Sequence, residues 1–266
     1  MVFTVKVLIL LVLTLLVCVI GFKRYVWFIS VGYGLSISAI SIGCLILFGS
    51  EMSVWSILYG IVMTCYGFRL GGYLLYREVK TAYSNSMKGE ISDGSKMSFG
   101  IKIALWVSCA LLYIMMMAPM IYRGVNNSST NACEIVGLFV SAFGIILEAT
   151  ADAQKTKAKK TNPKRFVSNG LFKIVRCPNY LGELTIWTGM LITAFGGLTS
   201  VGQWIVTIIG YLGIVYVMFS GARRLEIRQD KNYGAMPEYQ EYKKSTPILL
   251  PLIPLYSVKK HKWLVG

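Results

Sequence analysis

Residues 201–220 read VGQWIVTIIGYLGIVYVMFS, twenty positions without a charged side chain, and Arg223-Arg224 follow almost at once. A bilayer hydrocarbon core of about 30 Å takes on the order of 20 apolar residues per helix. A stretch of that length with a basic flank reads as a membrane span whose end meets water. Six further stretches pass the same test, at 5–22, 26–48, 54–76, 102–122, 133–150 and 181–199. The whole composition agrees: of 266 residues, 55% are hydrophobic and 15% are charged, and the mean hydropathy is +0.59. An ordinary soluble domain carries roughly 25% charged residues. A soluble α/β enzyme, a secreted disulfide scaffold and a disordered acidic chain are therefore excluded. The expectation is an all-α, polytopic membrane protein of about seven transmembrane helices in a single membrane domain, 1–266. The first stretch follows Lys6, as a signal sequence would, but no small-x-small cleavage site precedes Lys23-Arg24, so a retained helix is expected.

The six cysteines, Cys18, Cys44, Cys65, Cys109, Cys133 and Cys177, stand singly and form no C-x-x-C pair, so neither a disulfide framework nor a thiolate metal site is indicated. The only histidine is His261, which removes histidine-based metal sites and Ser-His-Asp hydrolases. No metal is expected.

The net charge of +15 is unevenly placed. Segment 151–180 holds eight basic residues and segment 221–266 nine, whereas 49–53 has none and 123–132 has only Arg123. Basic loops stay cytoplasmic. Alternation over seven helices then puts the N-terminus outside and both basic segments, the Lys23-Arg24 turn, the 77–101 loop and the C-terminus inside. The sequons in Asn126-Asn127-Ser128-Ser129 fall on the outer side. The membrane is the endoplasmic reticulum in a eukaryote or the inner membrane in a bacterium. Charge in these places points to membrane lipid or a phosphorylated small molecule and not to nucleic acid. On its own it needs no explanation beyond topology.

Ionisable groups at membrane depth are functional candidates. Glu148 and Asp152 share one face of the fifth span, Glu183 lies just inside the sixth, and Arg69 follows Tyr66 by three residues on the third. A plain ion pair between Arg69 and one of these acids is the structural alternative, and a packing aromatic is the alternative for Tyr66. By the topology above, all belong to the inner half, which points to one cytoplasm-facing cavity. In the stretch Asn169-Gly-Leu-Phe-Lys-Ile-Val-Arg176-Cys-Pro178-Asn179-Tyr180-Leu-Gly182-Glu183, Pro178 suits a helix start. Arg176 just outside that start, the free backbone N–H groups and the helix dipole together favour an anion such as a pyrophosphate. A lipid-bound interfacial cap is the alternative.

These residues also carry a resemblance. Glu148-Ala-Thr-Ala-Asp152-Ala-Gln154-Lys155, Lys159-Lys160-Thr-Asn162-Pro163, Arg165-Phe166, Gly170-Leu171-Phe172, Arg176-Cys177-Pro178-Asn179-Tyr180-Leu181-Gly182-Glu183 and Trp187-x-Gly189 resemble the C-terminal region of the steroid 5α-reductase family, in its microbial DUF1295 branch. Glu238-Tyr239-Gln240-Glu241-Tyr242 through Pro251-x-x-Pro254 is similar to the family's ending. The resemblance covers roughly 144–254 strongly and reaches Tyr66-Gly67-Phe68-Arg69 more weakly. It implies a seven-helix fold with an NADPH site on the cytoplasmic side, and an enzyme that transfers hydride to an activated C=C bond of a lipophilic, steroid-like or lipid substrate. It implies that Asp152, Arg165, Asn179 and Glu183 line the nucleotide pocket, with Tyr180 in the same motif. Tyr66 matches the tyrosine at the substrate carbonyl, and Arg69 beside it would favour its ionised form. Lys159, Arg176, Arg223, Arg224 and Arg228 would stand near the cofactor phosphates.

Two departures bear on the substrate. The steroid-specific members carry a glutamate in the second span, whereas span 26–48 here has no acid and offers only Ser30, Tyr33, Ser36, Ser38 and Ser41 as hydroxyls. The family's C-terminal histidine run is also missing. A membrane methyltransferase of the isoprenylcysteine type, using S-adenosylmethionine, shares part of the R-x-P-x-Y-x-G pattern. A non-catalytic sterol-binding protein on the same fold is a third reading.

Overall fold

The computed structural model describes residues 2–79 and 97–265. Most of the expected 77–101 loop therefore lies outside the described residues. Among those described, regular structure is helical without strands: α1 (Val5–Cys18), α2 (Val31–Phe48), α3 (Val54–Val79), α4 (Phe99–Met116), α5 (Ala118–Val125), α6 (Ala132–Thr161), α7 (Pro178–Ile192), α8 (Val201–Tyr233) and α9 (Pro237–Ser245), with short 3-10 turns between some of them. The chain is an all-α polytopic membrane protein. Among the described residues, five stretches are long and apolar enough to cross a bilayer: Val5–Phe22, Tyr25–Glu51, Phe99–Met116, Ala132–Thr161 and Val201–Tyr233.

Two of the seven expected spans fall short of that test, for different reasons. Helix α3 has 26 residues, ample length, but Arg69 and the glycines at 60, 67, 71 and 72 dilute its apolar character. Helix α7 has 15 residues, about 22 Å at 1.5 Å per residue, and gives way to turns before Gly196 at φ +74°. Three boundaries also differ from expectation. Stretch 102–122 is two helices, because Pro119 opens α5 and cannot continue α4. The basic segment 151–180 is not all loop, since α6 runs on to Thr161. Likewise α8 continues past the apolar run to Tyr233. At 30 and 33 residues, α6 and α8 are about 45 and 50 Å long, so their charged ends outreach a core of about 30 Å.

The chain divides into two compact units: residues 1–138 with 190–211, and 139–189 with 212–266. In the first, α2 and α3 cross at small residues. A Cβ on Gly34 would lie 2.5 Å from the Gly71 nitrogen and 2.7 Å from the Gly67 oxygen, and Ser38 Oγ donates to the Thr64 carbonyl at 2.8 Å. Without a hydrophobic force between helices in lipid, backbone approach of this kind supplies the association energy. It buries the α3 stripe Tyr59, Met63, Tyr66 and Leu70, spaced to share one face. The C-terminal end of α3 is fastened by Trp27 Nε1, which donates to buried Glu78.

The same unit contains a buried polar clasp. Arg123, 3% exposed, donates from Nε to Glu134 Oε1 at 3.2 Å, from Nη1 to the Thr193 carbonyl at 3.2 Å and from Nη2 to the Ser129 carbonyl at 2.7 Å. Glu134, fully buried, also accepts from Ser53 Oγ at 2.9 Å and from Ser56 Oγ. This is how an ion pair survives burial: the charges meet, with Glu134 Oε2 3.0 Å from Arg123 Nη2, and hydroxyl and carbonyl groups complete the guanidinium and Oε1. Beside it Asn126 Nδ2 bonds Gly197 O and Gln203 Oε1, both at 2.9 Å, leaving Asn127 as the exposed asparagine of the two sequons.

Candidate functional site

In the second unit α6 and α7 cross at backbone contact. A Cβ on Gly144 would lie 2.6 Å from Ile186 N, one on Gly182 would lie 2.7 Å from Glu148 N, and Ser141 Oγ donates to Ile186 O at 2.7 Å. This crossing sets three buried carboxylates on two adjoining helices. Glu148 lies at the contact itself, Asp152 follows one turn later, and Glu183 adjoins Gly182. Glu183 Oε2 accepts from Trp187 Nε1 at 3.2 Å, one turn along α7. Burying carboxylates without partners is prohibitive, so this crossing is built for polar company.

The segment leading into α7 is positioned from both sides. Gly170 takes φ +60°, a backbone region open to glycine, and Gln154 Oε1 of α6 accepts the Leu171 N–H at 2.9 Å. On the other side Arg176 N–H and Cys177 N–H donate to Pro247 O and Ile248 O, each at 2.9 Å. Pro178 then opens α7 where its missing N–H costs nothing. Burial pushes the Cys177 thiol up to about 12, which makes it an inert packing group.

Arg176 is 1% exposed. Its Nη2 donates to Glu226 Oε1 at 3.3 Å and to the Tyr256 carbonyl. Glu226 in turn accepts from the Val258 N–H at 2.9 Å and pairs with Lys243 at 3.2 Å. One turn on, Asp230 pairs with Lys243 at 2.8 Å and Lys259 at 3.0 Å and accepts from Tyr239 OH at 3.0 Å. This network ties the segment before α7 to α8, α9 and the C-terminal tail. Among the described residues, Arg176 Nε and Nη1 have no hydrogen-bond partner despite being buried, and neither has Asn179 Oδ1. The buried guanidinium thus holds its place through one nitrogen and keeps donors on the other two.

The remaining expected residues serve in varied ways. Lys159 spends its three protons on Pro163 O at 3.1 Å, Arg165 O at 2.7 Å and Tyr233 OH at 2.7 Å, clipping the turn after α6 to the end of α8. The side chains of Arg165 and Arg224 are exposed and Arg228 is half-buried. Arg223 holds the tail, donating to Lys259 O at 3.2 Å and Leu264 O at 3.1 Å. A Cβ on Gly221 would stand 3.3 Å from the Tyr180 ring, so α8 passes against that tyrosine. Asp152, Lys159, Arg165, Arg176, Asn179, Tyr180, Glu183, Arg224 and Arg228 all belong to the second unit, while Tyr66 and Arg69 belong to the first. There the Arg69 guanidinium lies 5.8 Å from the centre of the buried Tyr66 ring, a cation–π distance.

Sequence reasoning passed over Glu226, Asp230 and Lys243, which hold Arg176 and its surroundings. The available signal was a pair of acids four residues apart, hence on one helical face, within an otherwise basic tail. No curated protein and no solved structure matches the chain. The family model for DUF1295, described as a protein of unknown function, matches residues 16–246, and that span, most of the chain, places the protein in the DUF1295 family.

Proposed function

We propose that this protein is a membrane-embedded, NADPH-dependent reductase that saturates an activated C=C bond of a lipophilic substrate. The observation that carries the reading is the buried Arg176 with donors to spare on Nε and Nη1, next to the start of α7 and near a crossing rich in carboxylates. Those two nitrogens suit a pyrophosphate, which a guanidinium grips in bidentate fashion. Asn179 Oδ1 suits a hydroxyl or amide donor of the same ligand. The residues present therefore fit a dinucleotide.

In this reading Arg176 and the N-terminus of α7 hold the phosphates, and Asp152, Asn179 and Glu183 bind the sugar and base hydroxyl and amino groups. Lys159, Arg165, Arg224 and Arg228 add a positive field that draws the anion in. The bound cofactor supplies the hydride. The protein's own contribution at the substrate is Tyr66, whose phenol donates a hydrogen bond to the substrate oxygen where negative charge develops. Arg69, with its guanidinium against the Tyr66 ring, steadies that polarised phenol. The exposed apolar helix faces admit a hydrophobic substrate from the membrane, and the positive charge of segments 151–180 and 221–266 supports a cytoplasmic C-terminus and cofactor site.

Thermal unfolding of the purified protein in detergent tests the reading. NADPH at a hundred times its dissociation constant stabilises by about 2.7 kcal/mol, or about 5–10 °C for a chain of this size. S-adenosylmethionine should leave Tm unchanged. The opposite pattern would assign methyl transfer, and no response to either ligand would assign a non-catalytic binding protein. Asn179→Ala should weaken the NADPH response, whereas Tyr66→Phe should preserve it and lower turnover by about 10²–10³.

A further inference from the structure

The C-terminal tail folds back along α8 and leaves an open pocket of about 350 Å³ between them, within the ~300–1,000 Å³ range of small-molecule sites. Leu212, Val215 and Phe219 of α8 line one wall, and Leu255, Val258 and Leu264 of the tail line the other. The depth of this pocket follows from two bonds. Tyr216 OH donates to the Trp263 carbonyl at 3.0 Å and accepts the Val265 N–H at 3.2 Å. Tyr216 belongs to the uncharged run 201–220, so the tail's end reaches the level of the hydrocarbon. Leu212, one turn before Tyr216, is exposed on α8, and it both lines the pocket and faces outward.

The tail residues on either side of His261, which also lines the pocket, have the opposite character. Lys260 and Lys262 are exposed, and neither has an ion-pair partner among the described residues. The nearby acid, Asp230, is already shared by Lys243 and Lys259. Trp263, 64% exposed, follows Lys262 and lines the pocket, a side chain of the kind that settles at a membrane–water boundary. An apolar chamber open to hydrocarbon beneath a surplus of positive charge has one complementary occupant.

We infer that the space between α8 and the tail is a binding site for an anionic glycerophospholipid, with an acyl chain in the pocket and the headgroup phosphate on Lys260 and Lys262. The site is independent of the cofactor reading, since none of its residues is assigned to the dinucleotide. Lipid in this space adds to the Tyr216 and Arg223 bonds that hold the tail on α8, and anionic lipid thereby stabilises the folded chain.

Native mass spectrometry of the full-length protein, released from detergent with equal amounts of phosphatidylglycerol and phosphatidylcholine of identical acyl chains, tests the inference. The wild type should retain phosphatidylglycerol preferentially. A lysine near an anionic headgroup is worth about fivefold in affinity, so Lys260→Gln/Lys262→Gln should reduce that preference about 25-fold. Val215→Trp, which fills the pocket, should lose both lipids. The two lysines are on the surface, so the glutamine variant folds and decides the matter even should Val215→Trp fail to fold. Millimolar inorganic phosphate should not displace the lipid. Absence of a retained lipid on the wild type, an undiminished preference in the glutamine variant, or displacement by inorganic phosphate would each overturn the proposal.

Discussion

The pair Arg176–Glu226 allows its two halves to be weighed separately, and they are unequal. Glu226 receives three donors, from Arg176, Lys243 and the Val258 backbone. Among the described residues the Arg176 guanidinium has a single carboxylate partner in Glu226, at 3.3 Å, and beyond it only the Tyr256 carbonyl. Replacing Arg176 by Met removes the bonds to Glu226 and to the Tyr256 carbonyl but leaves Glu226 compensated, at a cost of about 1.5–3 kcal/mol. Replacing Glu226 by Gln strands a guanidinium that is 1% exposed, at a cost of about 3–5 kcal/mol. For a chain of this size Tm moves about 2–4 °C per kcal/mol, so the glutamine variant should lose about 10 °C or more and the methionine variant roughly half that. Adding Arg176→Met to Glu226→Gln removes the stranded charge. The double variant should therefore melt above Glu226→Gln alone, a non-additivity characteristic of groups in contact. Unfolding followed by tryptophan fluorescence in detergent measures all three. A double variant whose losses simply sum would refute the reasoning, because the two side chains would then not depend on each other.

Three further outcomes follow from other parts of the fold. Glu134→Ala should destabilise the first unit by about 3–5 kcal/mol, since Arg123 would remain buried without its counter-charge, and Arg123→Met/Glu134→Leu should recover much of the lost Tm. Gly34→Leu forces a side chain into the Gly67 and Gly71 backbones and should cost about 1–3 kcal/mol or more; Gly72→Ala, with nothing within 4 Å of the new methyl, should leave Tm unchanged or raised, and equal effects of the two would contradict the crossing described. Cys177, its thiol pushed up to about 12 by burial, should resist maleimide at pH 8 in the folded protein and react once denatured, as read by peptide mass spectrometry. Rapid native labelling would show that the segment before α7 is open.

Much of the architecture was legible because membrane helices announce themselves by length and apolarity. The runs at 5–22, 26–48 and 201–220 needed no partner to be recognised. What was lost depended on contacts distant in the chain. Arg176 and Glu226 are 50 residues apart, and nothing local to Arg176 reveals that one nitrogen is already engaged. Arg123 looked like the lone basic residue of an outer loop, although Glu134 stands eleven positions later, one helical element away. Hydropathy also misplaced ends. It stopped α6 and α8 where charge begins, but a helix continues into water as long as its backbone bonds are kept, and the Lys and Arg residues at these ends are good helix formers. Conversely, Pro119 inside an apolar run carried the information that α4 stops, which a hydropathy window averages away.

The central claim is that the second unit binds a dinucleotide through the segment before and within the start of α7. Photolabelling with an azido analogue of NADP⁺, in lipid nanodiscs and with peptide mapping, tests it most directly. The account predicts labels on peptides covering Glu148–Lys159 or Arg176–Glu183 that excess NADPH suppresses and S-adenosylmethionine does not. Labelling that NADPH fails to suppress, or suppressible labels confined to peptides of the first unit, would contradict it.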